Sequence, residues 1–233
     1  MALTSARLVA RENRFVLRCT LPSGEEVAAH LGNTGRLREL LTPGAELLLR
    51  HTPAPGRKTS WEAVLVKAGT QWVSLNSQLP NRLAAQGVRD GVILLPDFPP
   101  PFTVKREAAV GDSRIDIAAV KPDGETFYLE VKGVTLVREG IAQFPDAPTG
   151  RGVKHLHELT RIAREGGRAG VLFIVQRPDA VSFTPNPDRP EFAAALREAA
   201  EAGVAVLAWK CRVDEDGVRL EREMEVSLWG KGR

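Results

Sequence analysis

Cysteine is nearly absent from this chain. Cys19 and Cys211 are its two cysteines in 233 residues. That excludes a four-cysteine zinc centre, suits a reducing cytoplasm, and leaves each thiol a buried structural role. Long apolar runs are missing as well. Stretches such as VLFIV at 171–175 are far too short to cross a bilayer, and MALTSARLVA lacks the apolar core of a secretory signal. A cytoplasmic protein with no membrane partner is therefore expected. Histidines number four, and His155 and His157 stand two apart, so they cannot share one helix face as a metal pair. There is no internal repeat or low-complexity tract, and nothing in the sequence identifies a protein partner.

What is present reads as soluble and globular: 43% hydrophobic and 26% charged residues over a length that suits one large domain or two small ones. The formal charge of +3 is uneven. Residues 1–81 carry ten Lys and Arg against six Asp and Glu, while the remainder is almost neutral. A basic N-terminal part fits contact with an anionic polymer, and it equally fits an ordinary solvated surface.

Up to about residue 80 the chain reads as short strands, from ARLVARE and RFVLRCTL to WEAVLVKA and TQWVSL, broken by SGE, TPG and PAPG. GRLRELL reads as a short helix before Pro43. Close-spaced short strands predict a small five-stranded OB-like barrel over residues 1–80. Arg14, Arg57 and Lys58, with Arg7, Arg11 and Arg18, are its candidate groove residues for a nucleic-acid backbone, beside Trp61 and Trp72. Residues 81–233 change character. A helix in LPNRLAAQGVRDG is followed by three strands, then helix, strand, helix and strand, which predicts a mixed-sheet α/β domain covered by helices.

The stretch RIDIAAVKPDGETFYLEVKG, Arg114 to Gly133, carries the chemistry. KPDGE predicts a three-residue hairpin loop with Lys121 facing Glu125. Counting back sets Asp116 opposite Glu130 on one face, with Cβ atoms roughly 4.5–5.5 Å apart, and Lys132 on that face too. Opposed like charges destabilise a sheet unless something compensates them, and a divalent cation held by two carboxylates does so. The same spacing also fits a solvated face carrying ordinary charges.

Asp116 followed by Glu130-Val131-Lys132 resembles the core of the PD-(D/E)xK nuclease superfamily, a permissive motif. The longer runs SRIDI, YLEVKGVTLV and FPDAPTGRGVKHLHEL, with NTGRLRELLTPG and LNSQLPNRL upstream, are similar to the sugar fermentation stimulation protein A (SfsA) family along nearly the entire chain. The resemblance implies an OB-fold domain joined to a PD-(D/E)xK nuclease-like domain, and an association with DNA and with regulation of sugar, especially maltose, metabolism. Carried over by position, it implies Asp116 and Glu130 as ligands for Mg²⁺ or Mn²⁺, Lys132 as the catalytic lysine, and Glu107 as a further acidic catalytic position.

Two functions follow as expectations. The first is a nucleic-acid-binding protein, on DNA rather than RNA and without sequence preference, that hydrolyses phosphodiester bonds with a metal. Arg151, Lys154 and His155, in the loop and first helical turn after the site, would meet phosphates. The second is a non-catalytic DNA-binding regulator that retains the acidic site as a remnant. Gln176, at the end of a buried strand, is a weaker candidate, since an ordinary polar cap often stands there.

Overall fold

The computed structural model describes residues 2–33, 35–56, 58–110 and 113–229. Six strands open the chain: β1 (Leu3–Arg11), β2 (Val16–Thr20), β3 (Glu26–Leu31), β4 (Glu46–His51), β5 (Trp61–Ala68) and β6 (Gln71–Ser74). They pair in the order β3-β2-β1-β4-β5-β6. Parallel pairing of Ala29 with Trp61 and of Leu31 with Ala63 joins β3 to β5 and closes β1 to β5 into an OB-type barrel. Period-two alternation decides what lies inside. Leu17, Cys19, Ala29 and Leu31 are fully buried, while Arg18 and Ala28 between them face out. Each buried leucine contributes about 1.5–3 kcal/mol, so a one-residue slip that turned this set outward would be costly.

GRLRELL does not form the expected helix. Leu37 has a φ of 48°, a left-handed value no helix interior holds, and the N–H groups of Leu40 and Leu41 both return to the Leu37 carbonyl in a single turn. Leu37 and Leu40 are buried with the barrel interior. Filling that core overrides the local preference for helix.

The second part runs α1 (Leu79–Arg89), β7 (Thr103–Val110), β8 (Ser113–Val120), β9 (Thr126–Val134), β10 (Leu136–Arg138), β11 (Ile141–Phe144), α2 (Gly150–Arg164), β12 (Arg168–Val175), β13 (Ser182–Pro185), α3 (Pro190–Glu201), β14 (Ala205–Asp214), β15 (Gly217–Glu223) and β16 (Glu225–Val226). Its main sheet has the order β15-β14-β12-β9-β8-β7. β7, β8 and β9 are antiparallel, while β12 lies parallel to both β9 and β14. A smaller sheet, β10-β11-β13-β16, was not foreseen. Helix, three-strand meander, helix and parallel strand make the PD-(D/E)xK-like core.

β12 explains the layering. It is buried at every position after Arg168, because both of its faces are covered. Val171 and Phe173 pack with α2 and α3, and Leu172 and Ile174 pack with α1. Leu48 and Leu65 of the barrel join the α1 side, so the two parts meet through apolar contact. Both cysteines are buried, and burial pushes their thiols up to about 11 at Cys19 and about 12 at Cys211, so neither is a nucleophile at neutral pH. Among the described residues, no helix is long and apolar enough to cross a membrane.

Candidate active site

The β8–β9 hairpin forms as its residues require. The Lys121 N–H reaches the Glu125 carbonyl at 2.9 Å, the two side chains form an ion pair at 2.7 Å, and Gly124 takes the left-handed position at φ 93°. The ladder runs from Val120–Thr126 to Ile117–Leu129 and stops there. One step further, in the same register, Asp116 stands opposite Glu130. At that step the Val131 N–H donates to Asp116 Oδ2 at 2.8 Å, so a carboxylate replaces backbone where the strands part.

Asp116 is held from a second side. Asn81 Nδ2, in the first turn of α1, donates to Asp116 Oδ1 at 2.7 Å. Gly133 permits this approach: a Cβ there would lie 2.8 Å from the Pro80 ring, so only glycine lets the start of α1 sit against β9 just beyond Lys132. Burial first, and then the neighbouring Glu130 charge, raise the Asp116 pKa above its ordinary value, outweighing the opposing pull of the Val131 N–H, Lys132 and Asn81.

Glu130 is 2% exposed. Its Oε1 accepts from Lys132 Nζ at 2.5 Å and is also engaged by His155 Nδ1. Its Oε2 is buried and has no hydrogen-bond partner. Arg151 Nε donates to His155 Nε2 at 3.4 Å, an arrangement that leaves the ring proton on Nδ1, facing Glu130. His155 therefore does not face a phosphate. It lies on the buried stripe of α2 with Gly152, Leu156 and Leu159, whereas Arg151 and Lys154 are exposed. The Thr149 side chain caps that helix by accepting from the Gly152 N–H at 3.0 Å, and no acidic residue stands in its first turn. The positive end of the helix dipole and two cations thus share one side of the site.

Glu107 lies apart from this cluster. Its φ of 56° kinks β7 opposite Asp116, its side chain is 60% exposed, and Arg114 engages it at 3.2 Å. In the barrel, Arg7 pairs with Glu46, Arg18 pairs with Glu12 and Glu26, and the Arg11 guanidinium is bonded to the carbonyls of Arg14, Gly35 and Arg36. Arg14 and Lys58 are exposed, and Arg57 lies outside the described residues. Pairing of Leu17 with Ala29 and of Ala29 with Trp61 brings the β1–β2 turn, which carries Arg14, and the start of β5, just past Lys58, to one rim. Trp61 and Trp72 are half-buried, against His51 and Lys67 respectively.

Sequence reasoning missed Asn81 and misjudged His155. The signal for both was positional: Pro80 at the helix start fixes where Asn81 points, and the i, i+3, i+4 run from Gly152 puts His155 on the buried stripe. Among the described residues, no three His, Cys, Asp or Glu side chains converge as a complete metal cage. Two carboxylates with an orphaned oxygen nonetheless suit a hard cation, since Mg²⁺ is commonly held by one or two carboxylates with water filling the remaining positions.

Residues 9–75 match the SfsA N-terminal OB domain, and residues 78–217 match the Sugar fermentation stimulation protein RE domain. A Sugar fermentation stimulation protein homolog of Alkaliphilus metalliredigens is 45% identical over 219 residues, covering 93% of each chain. One from a Thermoanaerobacter species is 43% identical over 223 residues, covering 95% of this chain and 96% of the other. A solved structure of Pyrococcus furiosus SfsA in complex with Ca²⁺ is similar with a TM-score of 0.84 and 28% identity, over 97% of this chain and 96% of that one. With both domains matched and this identity sustained from end to end, the chain belongs to the sugar fermentation stimulation protein family.

Proposed function

We propose that this protein is a metal-dependent phosphodiesterase acting on nucleic acid. The observation that carries the reading is Glu130 Oε2, buried without a partner beside a second carboxylate that is itself disfavoured in its charged form. Buried polar atoms are almost always partnered, and a cation satisfies both carboxylates at once. The Ca²⁺ complex of the Pyrococcus furiosus relative supports the same reading.

Asp116 and Glu130 would hold Mg²⁺ or Mn²⁺, with the Val131 carbonyl as a further oxygen ligand. When bound, such an ion polarises a phosphate and lowers the pKa of a water. Lys132, on Glu130 Oε1, orients the attacking water and offsets charge gathering on the phosphate. His155 acts as a positioning residue that fixes the Glu130 rotamer through Oε1. Arg151 and Lys154 hold the phosphate backbone beside the site, and Arg14 and Lys58 extend the cationic path on the barrel rim. These contacts carry no sequence readout, and the choice of DNA over RNA rests on the family resemblance alone.

A second reading, a non-catalytic DNA-binding regulator, is favoured by one observation: Lys132 is committed to an ion pair with Glu130. Purified protein incubated with labelled single- and double-stranded DNA and RNA, in Mg²⁺, Mn²⁺ or EDTA, separates the two. Cleavage that EDTA abolishes supports the enzyme. Retention without cleavage of any of the four substrates supports the regulator.

A further inference from the structure

A pocket of about 110 Å³ opens where the barrel meets the nuclease-like domain. Asn33 enters from the barrel side and Ser77 from the connection into α1, while Gln143, Asp146 and Gln176 face them from the second domain. Its position follows from the sheet. Gly133, the residue after Lys132, lines it, and the Gln176 N–H extends the β9–β12 pairing to the Val134 carbonyl at 2.9 Å. The pocket thus lies just past the carboxyl ends of two parallel strands, the place where open α/β sheets bind ligands.

Two of its side chains are unexplained by the fold. Gln143 is 8% and Gln176 1% exposed, and the Oε1 atom of each is buried with no hydrogen-bond partner. The other polar walls are already engaged: Asn33 Oδ1 accepts from the Gly35 N–H, Asp146 Oδ2 from the Arg36 N–H, and Ser77 Oγ donates to the Gly32 carbonyl. Two orphaned acceptors in a shared pocket call for a ligand that brings N–H or O–H donors.

We infer that this pocket receives one base of the nucleic-acid strand whose backbone lies at Asp116 and Glu130, and that Gln143 and Gln176 read its exocyclic amine. This rests on the nucleic-acid reading above. The volume suits it: at roughly 10–15 Å³ per water-sized group, 110 Å³ takes about as many groups as a nucleobase has heavy atoms. The walls suit it too, since Leu37, Leu136 and Phe144 give apolar surface to a flat ring while the glutamines meet its edge. Adenine, cytosine and guanine carry an exocyclic amine; thymine and uracil do not. A glutamine amide pairs with such an edge.

The test compares fluorescently labelled single-stranded oligomers of about twelve nucleotides, a length an OB-type groove spans. Oligo(dA), oligo(dC), oligo(dT) and an abasic strand of equal length are titrated at one salt concentration, in Ca²⁺ to prevent turnover. Phosphate contacts are common to all four, so differences report the bases. Oligo(dA) or oligo(dC) should bind about tenfold or more tightly than the abasic strand and more tightly than oligo(dT). Gln143→Met and Gln176→Met should reduce them to the abasic level and leave abasic binding unchanged. Should either variant not fold, the side-chain amide signals of Gln143 and Gln176 in the unaltered chain supply the same answer by NMR. They should move with oligo(dA) or oligo(dC) and stay still with the abasic strand. Equal binding of all four strands, a preference that survives both substitutions, or motionless amide signals would overturn the base pocket and leave nucleic-acid binding intact. If no strand bound at all, the nucleic-acid reading and the pocket assignment would fall together.

Discussion

Replacing Asp116 by Asn separates a cation site from an ordinary charged strand end. In the unaltered protein, a divalent ion at a hundred times its dissociation constant stabilises the folded state by about 2.7 kcal/mol. For a chain of this length, about 2–4 °C per kcal/mol gives a rise in Tm of roughly 5–11 °C. Removing a direct ligand should cost at least the hundredfold that loss of a mere supporting group can cost. The same ion concentration then only matches the dissociation constant, and the gain shrinks to about 0.4 kcal/mol, or roughly 1 °C. The metal-free baseline matters as much. Relief of the Asp116–Glu130 repulsion alone would stabilise the variant, but Asp116 accepts from both Asn81 and the Val131 N–H, whereas an amide has one acceptor and must turn its NH₂ toward the other donor. That mismatch costs about 1–3 kcal/mol. Lys132 and His155 already engage the Glu130 carboxylate, so the relief is the smaller term. We expect the metal-free variant to melt a few degrees below the unaltered protein. Melting curves with Mg²⁺, Mn²⁺ or EDTA, beside a nuclease assay, check both numbers. A variant with the full metal-dependent rise and full cleavage would refute the carboxylate pair as the site.

Much of this site was legible because it depends on local periodicity. KPDGE fixes a hairpin, the hairpin fixes a register, and the register sets Asp116 against Glu130 before any tertiary contact exists. The barrel followed from the same period-two logic. What could not be read depends on partners distant in sequence. Asn81 meets Asp116 across 35 positions, and His155 meets Glu130 across 25. No local pattern encodes a contact of that kind; it requires knowing that α1 and α2 cover opposite faces of one sheet. GRLRELL failed for a related reason, since four of its seven residues suit a helix but Leu37 and Leu40 are drawn into the barrel core. The short strands β10, β11 and β16, of three, four and two residues, are below the length at which alternation can be recognised.

Four further outcomes follow. Lys132→Ala should lower cleavage about a hundredfold or more while metal and nucleic-acid binding persist, since the ammonium acts on the transition state; steady-state rates beside the metal-dependent rise in Tm decide it. Neutralising Arg14 and Lys58 should flatten the slope of log affinity against log salt by up to about 0.9 for each duplex phosphate that is no longer neutralised, and an unchanged slope would remove both from the path. Thr149→Ala should destabilise the protein by about 1 kcal/mol through removal of the α2 cap, read from urea unfolding. The last concerns Asp179, whose carboxylate is bound at 2.6 Å by Arg177, a guanidinium only 8% exposed. That hydrogen bond holds the Asp179 pKa below its ordinary 3.8. A carboxyl depressed in the folded state binds its proton less readily there than in the unfolded chain, so the ionised form stabilises the fold above pH 3.8, and the contribution fades as pH falls through the lower folded value. Asp179→Asn should therefore melt below the unaltered protein at pH 7 and keep that deficit down to the ordinary carboxylate value. Only below it should the two melting temperatures converge, as Asp179 itself becomes neutral. A deficit that stayed constant to the most acid pH at which both still fold would assign the loss to packing rather than to the ion pair with Arg177.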